Sequence, residues 1–406
     1  MKRYWKLIIL SLVTVVVIGT FYTQASLANK AGINIEFEKI TGNEEELKDL
    51  MIYGDYSIGH MYQPLQITTE GTVNPYDRSF IEQLSPANSS PIFKDWIKDH
   101  KKFMRGKDLI PSNFFENESI LVYASFKGNF HDYPKQNIAF DIDILNKNSG
   151  ETFSIQTDVP FLEKYDWMNI EDVQLVDNEL KLLVRGFGME GGNDLKVYTF
   201  DVKEQQIVGN DTIVSLETAS NSWTEMVIIN ELHNSITSQK YYVIKLETFE
   251  AEEVQSDGFT SSTEGEPKTI ANEVLLYNIE NDEVKQWAIP DEMKALLDMS
   301  IISQSSIYTY MQLDEGIEVS QYDLEKEKWI GKQTFHLKQS IDNENPPFIK
   351  IMSGKIYMIS ATDDGHTLLI GDLNTGKSLY EGKLVVKNKK ENQQGYRLYF
   401  NEIDSL

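Results

Sequence analysis

Leu369-Ile370-Gly371-Asp372-Leu373-Asn374-Thr375-Gly376-Lys377-Ser378-Leu379-Tyr380 is the stretch that decides the fold. An apolar run enters a turn of Asp, Asn, Gly and Lys and a second run leaves it, the pattern of two short antiparallel strands with a tight connection. The arrangement recurs upstream, from 139–144 to 152–155, 196–202 to 206–208, 274–279 to 285–289 and 319–324 to 328–330. Each pair follows another strand-like run, at 119–126, 180–186, 241–247, 306–312 and 355–360. Asp or Asn stands between two less polar residues where each of the last four pairs turns, at 201, 278, 323 and 372, giving separations of 77, 45 and 49 residues.

A period near 45 is about the length of one four-stranded propeller blade. The long first interval is explained by an insertion: residues 247–266 hold seven acids and no base, too little apolar surface to offset the entropy of ordering, and read as a loop between two strands.

The hairpin at 369–380 resembles the inner hairpin of extracytoplasmic quinoprotein-like β-propeller repeats of Gram-positive bacteria, in which an aspartate opens the turn and a Gly-Lys pair closes it. The other four units match in pattern, without a full WD signature or a tryptophan in every unit. The resemblance covers roughly residues 115–401 and implies an all-β, propeller-like domain of about five to seven blades. It carries no cofactor-binding residue onto this chain, and no cofactor is expected. Such folds close by mixing strands from both ends, so Tyr396 to Phe400 is expected to pair with material from Tyr53 to Thr72. The alternative architecture is a pair of β-sandwiches.

The chain divides, on this reading, into a leader or single transmembrane anchor at 1–28, an N-terminal region with a strand and an amphipathic helix at 29–114, and the repeat domain at 115–406. Lys2, Arg3 and Lys6 precede an apolar run from Leu7 to Phe21, and Ser26-Leu27-Ala28 follows as a small-x-small pattern. That order signals export, with cleavage near Ala28 leaving a secreted protein or retention leaving a membrane anchor.

The 406 residues include 38 Lys plus Arg, 63 Asp plus Glu and no cysteine, for a formal charge of -25. Disulfide frameworks, thiol catalysis and Cys-ligated metals are excluded. A nucleic-acid partner is not expected, because a polyanion meeting phosphates lacks the counterion-release contribution to affinity. Without residues 1–28 the balance is 35 basic against 63 acidic residues, or -28.

One segment runs against that charge. From Pro91 to Lys107, Ile92, Phe93, Trp96, Ile97, Phe103 and Met104 recur at helical spacing, while Lys94, Lys98, Lys101, Lys102, Arg105 and Lys107 face only Asp95 and Asp99. Two readings follow. Lys98, Lys101, Lys102 and Arg105 contact an anionic membrane or cell-wall polymer, or the apolar stripe packs on the body beneath a solvated basic face.

Candidate chemistry is sparse. Asp363, Asp364 and His366 combine two carboxylates with an imidazole, a set suited to a divalent cation or to acid-base work, in what also reads as an ordinary hairpin turn. No other metal site is signalled. Tyr53, Tyr56, His60 and Tyr62 are suited to stacking on a sugar ring or holding a peptide, and equally to building a sheet edge. The expected role is a non-enzymatic binding, sensory or scaffolding module at the outer cell surface, with a protein or wall polymer as partner and the membrane as a further one if the N-terminal segment is retained. The competing class is an extracytoplasmic enzyme, a cell-wall carbohydrate hydrolase or a cofactor-dependent oxidoreductase.

Overall fold

The computed structural model describes residues 33–48, 50–58, 61–74, 91–131, 138–189, 191–217, 219, 221–230, 236, 238–250, 268–313, 316–337, 346–362, 365–387 and 397–405, with Trp5, Leu12, Val13, Thr14, Val16 and Thr20. Strands β1 (Ile35–Gly42), β2 (Leu50–Ile58), β3 (Met61–Thr68) and β4 (Gly71–Val73) come first, then two short helices, α1 (Pro91–Asp99) and α2 (Lys101–Met104). Next come β5 (Phe114–Glu116), β6 (Ile120–Lys127), β7 (Ala139–Asn146) and β8 (Thr152–Asp158), followed by β9 (Tyr165–Val176), β10 (Glu179–Gly188), β11 (Asn193–Asp201) and β12 (Gln206–Leu216). Strands β13 (Ser222–Ile228), β14 (Tyr241–Glu250), β15 (Thr269–Asn278) and β16 (Glu283–Gln286) precede helix α3 (Asp291–Lys294). The chain continues through β17 (Ile301–Ser303), β18 (Ser306–Leu313), β19 (Gly316–Asp323), β20 (Lys328–His336), β21 (Phe348–Met352), β22 (Lys355–Thr362), β23 (Gly365–Asp372) and β24 (Lys377–Val386), and ends on β25 (Arg397–Ser405).

These strands form six sheets of four or five strands, and the paired neighbours whose registers are known run antiparallel. Four of the sheets run as meanders in chain order, from β5 to β8, β9 to β12, β13 to β16 and β17 to β20. A serial meander of four strands is the propeller blade, whereas a sandwich needs Greek-key crossings between sheets. The fold is therefore all-β and propeller-like, with six blade-like sheets.

The chain forms two compact units, one made of residues 1–95, 312–318 and 333–406, the other of 96–311 and 319–332. In the first unit both chain ends join the sheets. β25 pairs with β2, bringing Leu398 opposite Tyr56 and Phe400 opposite Gly54, as the sequence leads one to expect. β1 adds a fifth strand beside β24, pairing Ile35 with Val386. The β2–β25 register shifts between Tyr53 and Gly54, and the backbones close in so far that a Cβ on Gly54 would lie 2.2 Å from the Tyr399 carbonyl oxygen. Ile35, Ile52, Ile67, Tyr357, Ile370 and Tyr380 lie in the core of this unit.

The Asp and Asn residues read from the sequence act as turn formers. Oδ1 of Asp201 accepts from the N–H groups of Lys203 (2.8 Å) and Glu204 (2.9 Å), and Asp323 and Asp372 bind their own turns in the same way. The backbone N–H of the following residue then donates to an earlier turn or strand entry of the same sheet, Ile279 to Lys240 (3.1 Å) and Leu373 to Gly354 (3.0 Å). Asn146 does the same through Asn148 and Ser149, with Lys147 N–H reaching Ser119. Sequence reading passes over Asn146 as a marker because Lys147, not an apolar residue, follows it.

In the second unit, apolar residues of β6, β7, β9, β10 and β11 form one core around Phe140, Tyr198 and Phe200, and β14 and β15 contribute to two others. Of the acidic insertion, Glu247, Thr248, Phe249 and Glu250 belong to β14, and 251–267 lie outside the described residues. Most of segment 1–28 also lies outside them. Among the described residues no helix is long and apolar enough to cross a membrane.

Candidate functional site

The second unit carries a cavity of about 640 Å³ where chain turns converge. Gln174, Leu175, Val176 and Asp177 come from the end of β9 and its hairpin, Ser238, Gln239 and Lys240 from the entry to β14, Glu280 from the β15–β16 turn, Gln304 and Ser305 from the β17–β18 turn, and Glu325 from the β19–β20 turn. Asp177 and Gln304 take left-handed backbone conformations, φ 55 and 54, which suit the two-residue hairpins Asp177-Asn178 and Gln304-Ser305. The volume lies within the range of small-molecule sites, roughly 300–1,000 Å³.

Behind the wall runs a buried polar chain. Asp172 Oδ2 accepts from the Tyr242 hydroxyl (2.6 Å) and from Gln174 Nε2 (2.8 Å), while Oδ1 accepts from the Val173 N–H (2.9 Å). Gln174 Oε1 accepts from the backbone N–H of Gln239 (3.3 Å), and Asn230 Nδ2 donates to Gln239 Oε1 (3.2 Å) and to the Tyr241 carbonyl (2.9 Å). Burial pushes the Asp172 carboxyl up to about 7, against the lowering pull of its donors, and the nearby Glu171 adds to the rise. Glu171 is itself ion-paired with Arg185 at 2.8 Å. Burial and the Asp172 charge hold the Tyr242 phenol well above its ordinary value.

At the mouth, Lys240 Nζ lies 2.8 Å from Glu280 and 2.6 Å from Glu325, carboxylates on different sheets. Both hydrogen bonds raise the lysine's pKa and keep it an ammonium. The lining thus sets Asp177, Glu280 and Glu325 against one lysine. Beside it, Lys181 on β10 donates to the Ile279 carbonyl (2.8 Å) and to both oxygens of Asp282 (2.8 and 2.7 Å), fixing the turn that carries Glu280. A second cavity, of about 440 Å³, is lined by Lys245, Glu247, Trp287 and Asp298 among others, with Lys245 paired to Asp298 at 2.7 Å and to Glu247 at 3.1 Å.

The sequence-derived candidates lie elsewhere. Tyr56 is buried in the core of the first unit, its hydroxyl donating to Gln63, whereas Tyr62 is 66% exposed with its ring 6.2 Å from Tyr399. Tyr62 pairs opposite Ser57 and Gln66 opposite Tyr53, so β-strand alternation puts Tyr53 and Tyr62 on one face and Tyr56 on the other. His60 is outside the described residues, as are Asp363 and Asp364. His366 packs edge-on to Phe400 at 5.1 Å, and burial lowers its pKa, favouring the neutral imidazole. Among the described residues no group of three His, Asp or Glu side chains is placed to hold a metal ion.

Lys98, Lys101, Lys102 and Arg105 are all exposed. Beneath them the apolar stripe is buried: Trp96 packs on Phe114 at 5.3 Å and donates from Nε1 to Glu116 at 3.0 Å, and Phe103 and Met104 are also buried.

No family model matches the chain, and no curated protein matches it. Solved structures similar to it include TolB from Acinetobacter baumannii, at 12% identity and a TM-score of 0.28, covering 92% of this chain and 67% of that one. The β-propeller domain of the Trilobed protease from Pyrococcus furiosus is 10% identical with a TM-score of 0.25, covering 87% and 86%. A prolyl endopeptidase is 10% identical with a TM-score of 0.34, and this chain spans about half of its length, 51%, with 90% of itself matched. The propeller-like assignment stands on the chain's own six sheets.

Proposed function

We propose that this chain is an exported binding module of the outer cell surface, resembling quinoprotein-like repeat proteins of Gram-positive bacteria in its hairpins, that holds a small ammonium-bearing molecule in the 640 Å³ cavity. The observation that carries the reading is the seating of Lys240 between Glu280 and Glu325 at 2.8 and 2.6 Å: the two carboxylates already coordinate one ammonium, and Asp177 on the same wall offers a third charge. A cationic, donor-rich ligand matches a lining in which carboxylates outnumber cations, because charge-assisted hydrogen bonds are stronger than neutral ones. Amides of the wall, Gln174 and Gln239, are held by the buried chain to Asp172 and Asn230 and present a preformed surface.

Export and ligand class are tested separately. N-terminal sequencing of the protein recovered outside the cytoplasm distinguishes a secreted form beginning at Asn29 from one retained by residues 1–28, and recovery from the cytoplasm alone contradicts export. A thermal-shift panel of aliphatic diamines, polyamines and neutral polyols is expected to show stabilisation by amines. Turnover of a wall carbohydrate or a redox substrate would favour instead the extracytoplasmic enzyme.

A further inference from the structure

We infer that the exposed basic segment of residues 98–105 is a docking site for a linear polyanion bearing phosphate groups, the chemistry of an anionic cell-wall polymer. Lys98 stands in the last turn of α1, Lys101 and Lys102 open α2, and Arg105 follows its end, so the four cations fall within eight residues around a break at His100, whose φ of -123 and ψ of 41 interrupt the single helix expected from the sequence. Among the described residues none of the four forms an ion pair, in contrast to Lys107 and Lys147 nearby, which pair with Asp143 and Glu116. Asp95 and Asp99 are exposed as well, and between Lys98 and Arg105 Asp99 is the one acid among the four cations.

The choice of a polymer over a bilayer follows from what lies beneath the basic segment and around it. An amphipathic helix binds membranes by sinking its apolar face among the lipids. Here that face is spent on the protein: Trp96 is packed on Phe114 and hydrogen-bonded to Glu116, and Phe103 and Met104 are buried. Contact is left to charge alone. A flat anionic bilayer would also approach a chain of formal charge -25, whereas a flexible strand can be held by a short basic segment alone. Four exposed cations within eight residues offer such a strand several phosphate contacts.

The test uses the full chain, long-chain polyphosphate as probe, and a variant in which Lys98, Lys101, Lys102 and Arg105 are all glutamine. These side chains are exposed, so the variant is expected to keep its melting temperature. With a slope of about 0.7 per neutralised phosphate, wild-type affinity should fall roughly 20-fold from about 50 to about 150 mM salt, and the variant should show little binding at either salt. Absent polyphosphate binding at low salt, or equal binding by the variant, overturns the inference. Vesicles rich in phosphatidylglycerol and single-stranded DNA are the comparison arms: vesicle binding lost in the variant with polyphosphate unbound identifies a membrane contact instead, and DNA bound in preference to polyphosphate identifies a nucleic-acid surface. Either result contradicts the polymer assignment.

Discussion

The phenol of Tyr242 donates to Asp172 Oδ2 across 2.6 Å, tying β14 of one sheet to β9 of another inside the second unit. Both groups are buried, and the same carboxylate holds Gln174, which lines the cavity. Tyr242→Phe removes one donor and leaves a buried carboxylate under-solvated, at a cost of about 2 kcal/mol. The loss should be larger at about pH 8, where the carboxylate is ionised, than at about pH 5, where it is protonated. Urea denaturation at both values measures it, and equal losses would show that the hydroxyl does not serve the charged form.

Asp172 itself sets a pH dependence. Its folded-state pKa, raised from 3.8 to about 7, means that the native state holds a proton that the unfolded chain has already released. The contribution of this group to stability is therefore full at low pH and falls as pH rises through that window, by an amount on the order of 4 kcal/mol if the buried site does not relax. Asp172→Asn should flatten this part of the stability profile whatever its effect on mean stability, and an unchanged slope between about pH 4 and about pH 7 would assign the dependence to other groups.

The turn-forming amides and carboxylates make a local prediction. Asn146→Ala removes acceptors for the N–H groups of Asn148 and Ser149 and should cost about 1 kcal/mol. Asn146→Asp keeps the acceptor and should be close to neutral. Melting temperatures of the two variants compare them directly.

Closure of the first unit depends on Gly54. A methyl group there would meet the Tyr399 carbonyl oxygen at 2.2 Å, a backbone atom held in the β2–β25 ladder. Gly54→Ala should destabilise by about 2 kcal/mol or more. Gly331, where an added Cβ meets nothing within 4 Å, supplies the control, and Gly331→Ala should leave chemical denaturation nearly unchanged.

The repeat was legible in the sequence because its signal is local. Asp201, Asn278, Asp323 and Asp372 form their turns with residues two or three positions away, so spacing alone reveals them. The closing strand was legible for a different reason, since a propeller-like repeat joins strands from both chain ends, and β25 meets β2 with Leu398 opposite Tyr56 and Phe400 opposite Gly54. The cavity was not legible. Gln174 and Gln239 are 65 positions apart, and Lys240 meets Glu280 and Glu325 from separate turns, so no motif joins them before folding. Conversely, Tyr53, Tyr56 and Tyr62 are close in sequence, but the register of β2 and β3 divides them between two faces.

An ammonium-binding cavity held by Glu280 and Glu325 is open to titration calorimetry of spermidine against the wild-type chain and against Glu280→Gln/Glu325→Gln. Saturable binding to the wild type at one site is expected, with affinity at least about tenfold weaker in the double variant, the equivalent of about 1.4 kcal/mol. Binding of equal strength by both proteins, or none by the wild type, would contradict it.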